Sequence, residues 1–436
     1  MFLQMNESVN KTYLIVIFLL TVIMPGWVAG QQSFDTLNTR FYVKKELTLG
    51  ALYRAGKERE ELFTNVSKQY EEISTGEIKF QFRNRYWTFL DFKQEQLELN
   101  FEAGSLWGNG NWVDSSYIDN RAAGHSIIGF RANGSISYAN RFYYDDKSFT
   151  LVRISAAARY DLFHKHSEGT LIDSNNVSTN IDVKSNQTKF RYMLTARAGW
   201  GTGRLNPVNH LMVAEYILDK YYKGKTFSKE ETNNVVRKIE EIKNGRNVFA
   251  GHDINRESEQ IVDFLNRQMF LTRPERFESE WEYGEFLPRF NGSRLEIGPF
   301  FKYYNREPDF VYGGYIQYNN EKYQNYRWNR KFNVGLNYNW YKKQDWMIAE
   351  IELGWSYFMK LKSEFDFGIR YVPGITLNYF EDIGKLNHSF IPYIGYYSQL
   401  NESTRINLAL AYRITENEEI LLPGPEISVS IYRSKY

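Results

Sequence analysis

The chain has 436 residues, no cysteine and a formal net charge of +2. The absence of cysteine excludes disulfides, thiolate metal sites and a cysteine nucleophile. Lysine, arginine, aspartate and glutamate are interspersed, which argues against a nucleic-acid partner, since such a partner would need a concentrated basic face. Aromatic residues make up 17% of the chain, with 33 tyrosines and 31 phenylalanines. Tyrosine at this frequency is typical of proteins at a water–lipid boundary.

The N-terminal segment has the pattern of a secretory signal peptide. Lys11 ends a short polar stretch, residues 12–24 are apolar, and Val28-Ala29-Gly30 supplies small residues for cleavage. The apolar stretch is shorter than the ~20 residues that a spanning helix needs, which disfavours the alternative of a transmembrane anchor. We therefore predict export, with residues 1–30 removed as a signal peptide.

After that segment, many stretches alternate between apolar and polar residues. Phe190, Leu194 and Trp200 lie on one face of such a stretch, and Arg191 and Arg197 lie on the other. Further copies run through residues 152–162, 295–303, 332–340, 347–359, 365–379, 406–414 and 427–431. Alternation with period two predicts β-strands, and several stretches keep phase for the roughly ten residues with which a tilted strand crosses a bilayer.

A secreted soluble β-sandwich is the alternative, because its strands alternate as well. A sandwich would not need tyrosine or tryptophan repeatedly at the ends of the apolar rows, as at Trp200, Tyr303, Trp340, Tyr379 and Tyr412. Girdles of aromatic side chains at two membrane interfaces explain that placement. We therefore predict an all-β fold, a transmembrane antiparallel β-barrel in the bilayer of a Gram-negative bacterial outer membrane.

Fourteen strands are predicted, or twelve if the first two lie outside the wall. They fall near residues 44–54, 77–90, 94–104, 126–140, 148–163, 188–201, 293–304, 309–319, 326–341, 346–361, 364–380, 388–399, 404–415 and 425–433. The first part of the barrel would span residues 31–201 and the second part residues 291–436. The long polar stretches 55–76, 105–123 and 164–187 predict outer loops. Short turns near Asp145-Asp146, Asn319-Asn320 and Asn401-Glu402 predict the periplasmic end.

The connection at residues 202–290 is an exception, since it lies on the short-turn side and its pattern is helical. Leu211, Ala214 and Leu218 recur at helical spacing, Ser228 to Glu231 form a capping box, and a third amphipathic stretch covers Arg256–Met269. The apolar stripes of these helices need a partner. They would pack on one another or seal the inner mouth of the barrel, or they would dock a periplasmic protein.

The junction between the sixth strand and this insert carries the run Gly199-Trp200-Gly201-Thr202-Gly203-Arg204-Leu205-Asn206-Pro207-Val208, and Ile254-Asn255-Arg256 leads into the third helix. Together these runs resemble a group of largely uncharacterised outer-membrane proteins that is typical of Bacteroidota. The resemblance implies a cellular context and no defined activity. The glycines would allow a sharp exit from the sheet, and they lack the fingerprint of a nucleotide-binding loop.

Catalytic and metal-binding patterns are sparse. His164-Lys165-His166 could place two imidazoles near one metal, but an incidental surface pair is the better explanation because no third ligand is implied. His388 and Ser389 are adjacent in a strand, where neighbouring side chains point to opposite faces. The sequence therefore predicts no catalytic residue, no metal and no cofactor. A barrel-embedded enzyme is the weakest of the three functions considered.

The inward faces of the predicted strands carry charges of both signs. The candidates for lining the lumen are Arg153, Arg159, Arg191, Arg197, Glu296, Lys331, Glu350, Glu352, Asp366 and Arg370. Such charges could fill the lumen as a salt-bridged plug or set a transverse field across a water-filled pore. The leading hypothesis is a porin-like narrow channel or transporter for small hydrophilic solutes. The alternative is a non-conducting scaffold that binds partners through its helical insert or outer loops.

Overall fold

The computed structural model describes residues 42–63, 68–115, 120–172, 178–244, 253–269, 281, 289–306, 309–342, 344–378, 387–401, 404–415 and 423–435. The predicted signal peptide at residues 1–30 lies outside the described residues, as does Tyr379. In the described part of the chain, no helix has both the length and the apolar character needed to cross a membrane.

Across the described ranges, fourteen antiparallel strands form one sheet. Their bounds are β1 Tyr42–Phe63, β2 Lys68–Phe89, β3 Lys93–Ser115, β4 Asn120–Tyr143, β5 Phe149–Ile172, β6 Ser178–Pro207, β7 Phe290–Tyr304, β8 Phe310–Asn325, β9 Trp328–Tyr341, β10 Gln344–Lys360, β11 Ser363–Tyr371 with its continuation Gly374–Asn378, β12 Ser389–Gln399, β13 Thr404–Thr415 and β14 Gly424–Lys435. Each strand pairs with the next, and β14 pairs back onto β1, so the sheet closes on itself. The prediction of a closed fourteen-stranded antiparallel barrel is confirmed.

Apolar side chains cover the outside of the barrel, as the alternation predicts. On β6, Phe190, Leu194 and Trp200 point outward and are exposed, Trp200 by 64%, whereas Thr195 faces inward and is buried. A continuous apolar surface of this kind is a liability in water and is stable against lipid tails. The outside of the barrel is therefore a bilayer-facing band.

Aromatic rings collect near both edges of this band. The belt at one edge includes Phe301, Phe310, Tyr312 and Trp340, which contact one another in series. The belt at the other edge includes Trp328, Trp355, Tyr357 and Phe367. Tyrosine and tryptophan prefer the interface between water and lipid, and a bilayer has two such interfaces.

Strands β1 to β6 are much longer than the sequence predicts, with 22 to 30 residues each. Their ladders run to the pairs Phe63↔Lys68, Ser115↔Asn120 and Ile172↔Ser178. The expectation of long outer loops at residues 55–76, 105–123 and 164–187 was therefore wrong, because most of these residues are paired strand. Backbone hydrogen bonds can continue a ladder even where neither face of the strand is apolar. Such a strand has polar side chains on both faces, so its sequence lacks the alternation that predicts a strand.

Short turns join the strands at the end of the barrel where β1 begins, which we call the turn end. At the predicted turn, Asp145 Oδ1 accepts hydrogen bonds from the backbone N–H groups of Lys147 and Ser148 at 2.7 and 2.5 Å. The turn predicted at Asn319-Asn320 lies instead seven residues later, at Tyr326-Arg327. There Asn325 Oδ1 accepts from the backbone N–H of Arg327 at 2.9 Å. Short turns face the periplasm in bacterial barrels, so we propose that the turn end is the periplasmic end.

Three helices in the described ranges follow β6 at the turn end: α1 Asn209–Tyr221, α2 Lys229–Asn244 and α3 Ile254–Met269. Strand β6 continues to Pro207, which pairs with Phe290, so the helical segment is shorter than the predicted range 202–290. The sharp exit expected at the glycine run does not occur, because Gly203 takes a φ of +90° while staying paired with Arg294. Glycine tolerates that φ, so the ladder continues through it.

The apolar stripes of the helices pack against one another. Ile217 of α1, Ile239 of α2 and Ile261 of α3 are all completely buried, and contacts join α1 to α2 and α2 to α3. The capping box at the start of α2 is present: Ser228 N–H donates to Glu231 Oε2 at 2.8 Å, and Glu231 N–H donates to Ser228 Oγ at 3.2 Å. We call residues 208–289 the helical segment below.

Candidate functional site

Charged side chains fill the part of the lumen along β2 to β5. Arg131 Nε donates to Asp161 Oδ1 at 2.6 Å, and the same guanidinium contacts Glu77, which also contacts Lys79. Arg159, one of the predicted lumen residues, donates to the other Asp161 oxygen at 2.7 Å. All of these side chains except Arg159 are almost completely buried. The network joins residues of three strands, β2, β4 and β5, on the inward face of the barrel.

A second buried cluster narrows the lumen near the turn end. Glu296, another predicted lumen residue, accepts hydrogen bonds from Arg141 Nε at 2.7 Å and pairs with Arg294 Nε at 2.8 Å. Nearby, the rings of Phe89 on β2 and Phe290 on β7 lie 5.5 Å apart between centroids. Strands β2 and β7 are not neighbours in the sheet, so this contact crosses the lumen.

Arg289 attaches the helical segment to strands β10 and β11. Its guanidinium donates to Ser356 Oγ on β10 at 2.7 Å, contacts Glu364 on β11, and lies 3.7 Å from Asp366 Oδ1. Its backbone N–H donates to Asn209 Oδ1 at the start of α1 at 2.8 Å. Asp366, which the sequence placed in the lumen, is therefore a partner of this arginine.

Helix α1 also contacts the turn between β8 and β9. Tyr323 donates a hydrogen bond to Glu215, and Tyr326 donates to Asp219 Oδ2 at 2.6 Å. Burial raises the pKa of the Glu215 carboxyl, and the hydrogen bond from Tyr323 partly opposes that shift. The helical segment is thus seated on the turn end by polar contacts at both ends of α1.

A cavity of about 280 Å³ lies in the lumen, bordered by residues of β5, β6, β8, β9 and β10. Arg153 and Arg197 line one side of it, and Glu350 and Glu352 on β10 line the other. Between them lie Tyr315, Gln317, Asn319, Asn333 and Asn337. Four of the ten predicted lumen residues thus meet at one cavity, which we call the lumen cavity.

The two arginines of the lumen cavity are direct cross-strand partners. Arg153 and Arg197 pair in the ladder between β5 and β6, on the inward face. The Arg197 guanidinium lies over the rings of Tyr315 and Phe300, at 5.1 and 5.8 Å from their centroids. Among the described residues, no carboxylate lies within ion-pair distance of either guanidinium. Glu296 acts on Arg153 from beyond that distance, so this side of the cavity carries an excess of positive charge.

The opposite side is acidic and only partly neutralised. Glu352 lies 3.5 Å from Lys331 Nζ and accepts hydrogen bonds at 2.8 Å from both Asn333 and Tyr393. Glu350 is half exposed, and its described ion pair is with Arg370 at 4.0 Å. The predicted residues Lys331 and Arg370 therefore act as partners of the two glutamates.

The remaining predicted residue, Arg191, is the cross-strand partner of Arg159 on the inward face of β6. Sequence reasoning missed Tyr315, Arg141 and Arg289. Tyr315 could have been found, because it shares its parity on β8 with Gln317, which faces the cavity. Arg289 precedes β7 in a stretch without alternation, and no sequence signal indicates its position.

Outside the lumen, cross-strand pairing brings one of the histidines close to two carboxylates. His166 Nε2 lies 2.9 Å from Asp182 and 3.1 Å from Glu168 on an exposed hairpin, so three potential metal ligands come together where the sequence implied only two imidazoles. His164 is hydrogen-bonded to Asn186 instead.

His388 and Ser389 also have separate partners. His388 Nδ1 forms a 2.6 Å hydrogen bond with the Tyr371 hydroxyl, whereas Ser389 Oγ donates to Thr415 Oγ1 at 2.9 Å. The side chains of these two neighbours therefore engage different strands, as the alternation along a strand requires.

A closed antiparallel barrel with an apolar exterior band, two aromatic belts and a polar interior defines an outer-membrane β-barrel protein. The chain is such a protein, located in the bacterial outer membrane. No protein-family model and no curated protein sequence matches it.

Solved structures similar to this chain include three barrels. One is the transport unit of the autotransporter AIDA-I from Escherichia coli, with a TM-score of 0.32, 10% identity, and coverage of 94% of this chain and 95% of that chain. The toluene transporter TodX of P. putida has a TM-score of 0.31, 9% identity and coverage of 90% and 89%. OprB of Pseudomonas putida has a TM-score of 0.31, 9% identity and coverage of 90% and 92%.

Proposed function

We propose that this barrel is a narrow channel for small hydrophilic solutes, restricted at its periplasmic end by the helical segment. The observation that carries the proposal is the lumen cavity, which is lined by charges of both signs and by amide groups. A polar cavity inside the bilayer-facing band gives a hydrophilic solute a hydrated site on its way across the membrane, where the lipid itself would exclude it. Fourteen strands lie between small filled barrels and porins of about 16 to 18 strands with open aqueous channels.

The proposed passage is selective for size. The Arg131–Asp161 network occupies the lumen beside β2 to β5, and the Phe89–Phe290 contact crosses it near the turn end. The space that remains suits a solute small enough for a cavity of about 280 Å³. Movement of the helical segment would widen the turn end, because this segment is attached there through Arg289.

Replacing the helical segment by a short turn tests the proposal. Pro207 and Phe290 are cross-strand partners, so a two-residue Asn-Gly turn can join them without displacing β6 or β7. We expect this variant to show higher single-channel conductance in planar bilayers than the full chain. A shift on unheated gels verifies that both barrels are folded. Absence of conductance in both folded proteins would contradict a channel function.

A non-conducting scaffold is the second candidate. It is favoured by the buried pairs Arg131–Asp161 and Arg141–Glu296, which fill parts of the lumen with fixed charge. A scaffold would bind a periplasmic protein through the helical segment. In that case, the Asn-Gly replacement would abolish binding of that protein and leave the barrel as impermeable as before.

We also propose that the chain belongs to the Bacteroidota group that its strand–helix junction resembles. The support is the run Gly199 to Val208, which lies at the periplasmic end of β6 and ends where α1 begins. A solved structure of a member of that group should show the same run paired in the sheet through its proline. A helical segment attached to a different hairpin would reject the proposal.

A further inference from the structure

We propose that the lumen cavity binds a zwitterion of dipeptide size, with its carboxylate at Arg153 and Arg197 and its ammonium group at Glu350. This inference rests on the proposed function, because a solute reaches the cavity through the barrel. It names the class of solute that the channel selects, and it is argued from the two sides of the cavity and from the polar atoms between them.

The arginine side is a site for a carboxylate. The side chains of directly paired residues in an antiparallel ladder lie about 5 Å apart, and like charges at such positions destabilise the pairing. Arg153 and Arg197 are paired in this way, and a cation–π contact of Arg197 with the Tyr315 ring, at 5.1 Å from the centroid, accompanies the pair. A carboxylate between the two groups would accept hydrogen bonds from both and remove the repulsion.

Two buried polar atoms in the cavity point to a ligand independently. Tyr315 is only 3% exposed, and within the described residues its hydroxyl has no hydrogen-bond partner. The Oδ1 atom of Asn319 is also buried without a partner in that part of the chain, since only its Nδ2 is engaged, by Asn333. Buried polar groups are normally satisfied. The Tyr315 hydroxyl can donate to a bound carboxylate, and Asn319 Oδ1 can accept from a peptide N–H.

The acidic side is a site for an ammonium group. Glu352 already has three partners, whereas the half-exposed Glu350 has a distant one in Arg370, at 4.0 Å. Glu350 can therefore accept hydrogen bonds from a cation in the cavity. A dicarboxylate or a phosphate would be repelled by this side, and a neutral sugar would leave both sides uncompensated.

The separation of the two sides favours a dipeptide over a single amino acid. Strands β6 and β10 are four positions apart in the sheet, and neighbouring strands are spaced by about 4.8 Å, so the arc between their backbones is about 19 Å. The arginine and glutamate side chains extend into this space from its two ends and shorten the gap between the charged groups. Opposite charges on one carbon atom cannot reach both sides of such a site. A dipeptide carries its ammonium and carboxylate groups at opposite ends, separated by the peptide unit.

Titration calorimetry on the full chain in detergent micelles tests the inference. The probes are alanyl-alanine, N-acetyl-alanyl-alanine, which lacks the ammonium group, and alanyl-alanine amide, which lacks the carboxylate. We expect alanyl-alanine to bind at least tenfold more tightly than either blocked form. Equal binding of the three probes, or binding of none, would overturn the inference.

Variants assign the two ends of the ligand. Arg153→Gln and Tyr315→Phe should each weaken alanyl-alanine binding about fivefold or more, and neither should affect alanyl-alanine amide. Glu350→Gln should weaken alanyl-alanine and leave N-acetyl-alanyl-alanine unaffected. Lys147→Gln, in an exposed turn, is the matched loss of charge and should bind like the parent chain. Parent-like affinity in Arg153→Gln, Tyr315→Phe and Glu350→Gln would place the ligand elsewhere.

Filling the cavity gives a test that does not depend on removing charge. A Cβ at Gly335, which lines the cavity, would meet no atom within 4 Å, so Gly335→Trp should fold and abolish binding. Conductance separates the two proposals. A barrel that binds alanyl-alanine but conducts no solute rejects the channel function alone. A barrel that conducts a neutral sugar but binds no alanyl-alanine rejects the zwitterion site alone.

Discussion

The guanidinium of Arg289, at the end of the helical segment, donates a 2.7 Å hydrogen bond to the Ser356 hydroxyl on β10. Strand β7, which follows Arg289, lies three positions from β10 in the sheet, so the contact joins parts of the wall that are not adjacent. The helical segment is therefore attached to the barrel through the β6–β7 hairpin, through this arginine, and through the hydrogen bonds that Tyr323 and Tyr326 donate to α1. Opening of the turn end requires the arginine contact and the two tyrosine contacts to break.

Substituting Arg289 should weaken the attachment of the helical segment to the barrel. In Arg289→Ala, Glu364 and Asp366 lose a buried cationic partner, and removing one partner of a buried pair costs about 3–5 kcal/mol. We expect a lower urea midpoint and faster protease cleavage within α1 to α3. Arg289→Lys keeps the positive charge but cannot make all of the guanidinium contacts. Its urea midpoint and cleavage rate should lie between those of the parent chain and Arg289→Ala. Cleavage of Arg289→Ala at the parent rate would show that this contact does not hold the segment.

A matched pair of glycine substitutions tests which face meets lipid. Gly134 lies on the outward face of β4, Gly335 lies on the inward face of β9, and a Cβ at either would meet nothing within 4 Å. Gly134→Arg should destabilise the barrel by about 2–4 kcal/mol, because a charge near the middle of the bilayer is poorly solvated. Gly335→Arg should cost well under half of that. Unfolding in lipid vesicles measures both, and the reverse order would mean that the faces are exchanged.

The cluster around Glu296 predicts an order of stabilities. Glu296 compensates two buried arginines, Arg141 and Arg294, at 2.7 and 2.8 Å. Glu296→Gln leaves both cations without a carboxylate, whereas Arg141→Gln leaves Glu296 with Arg294. Glu296→Gln should therefore lower the free energy of unfolding by about 3–5 kcal/mol, and Arg141→Gln should lower it by less. A larger loss in Arg141→Gln, measured by urea unfolding, would refute this arrangement.

Docking of α1 should depend on pH through Glu215. Burial raises the pKa of this carboxyl above its ordinary value, so the stability that it contributes is greatest below the unfolded pKa and is lost as the pH rises through the raised pKa. Protease cleavage of the helical segment should be slower near pH 4 than near pH 7. Glu215→Gln, which cannot ionise, should reduce that difference. An identical pH dependence in the variant would assign the effect to another group.

Alternation predicted the strands and their faces because a barrel wall imposes a period of two on every residue that meets lipid. The assignment of Trp200 outward and Arg197 inward follows from that rule alone. Alternation is not required of residues that lie outside the bilayer. Beyond the bilayer-facing band, residues 178–189 of β6 are mostly polar on both faces, and their composition matches that of a loop even though they are paired with β5.

The meeting of residues across the lumen could not be predicted from the sequence. Arg153 and Glu350 line one cavity only because the ladders from β5 to β10 each hold one particular register. A slip of two residues in any ladder keeps every side chain on its face and changes which residues face one another. The sequence therefore supports a list of inward residues, but it does not show that four of them surround one space.

The length of β1 to β6 affects which part of the protein large particles contact at the cell surface. On β6, residues 178–189 extend beyond Phe190 by roughly 40 Å of strand, at about 3.3 Å per residue. With the turn end toward the periplasm, as proposed, large particles that approach the cell surface would meet these paired strand ends before the mouth of the barrel. Substitutions in residues 178–189 would then change the surface that such particles bind without altering the charges that line the lumen cavity.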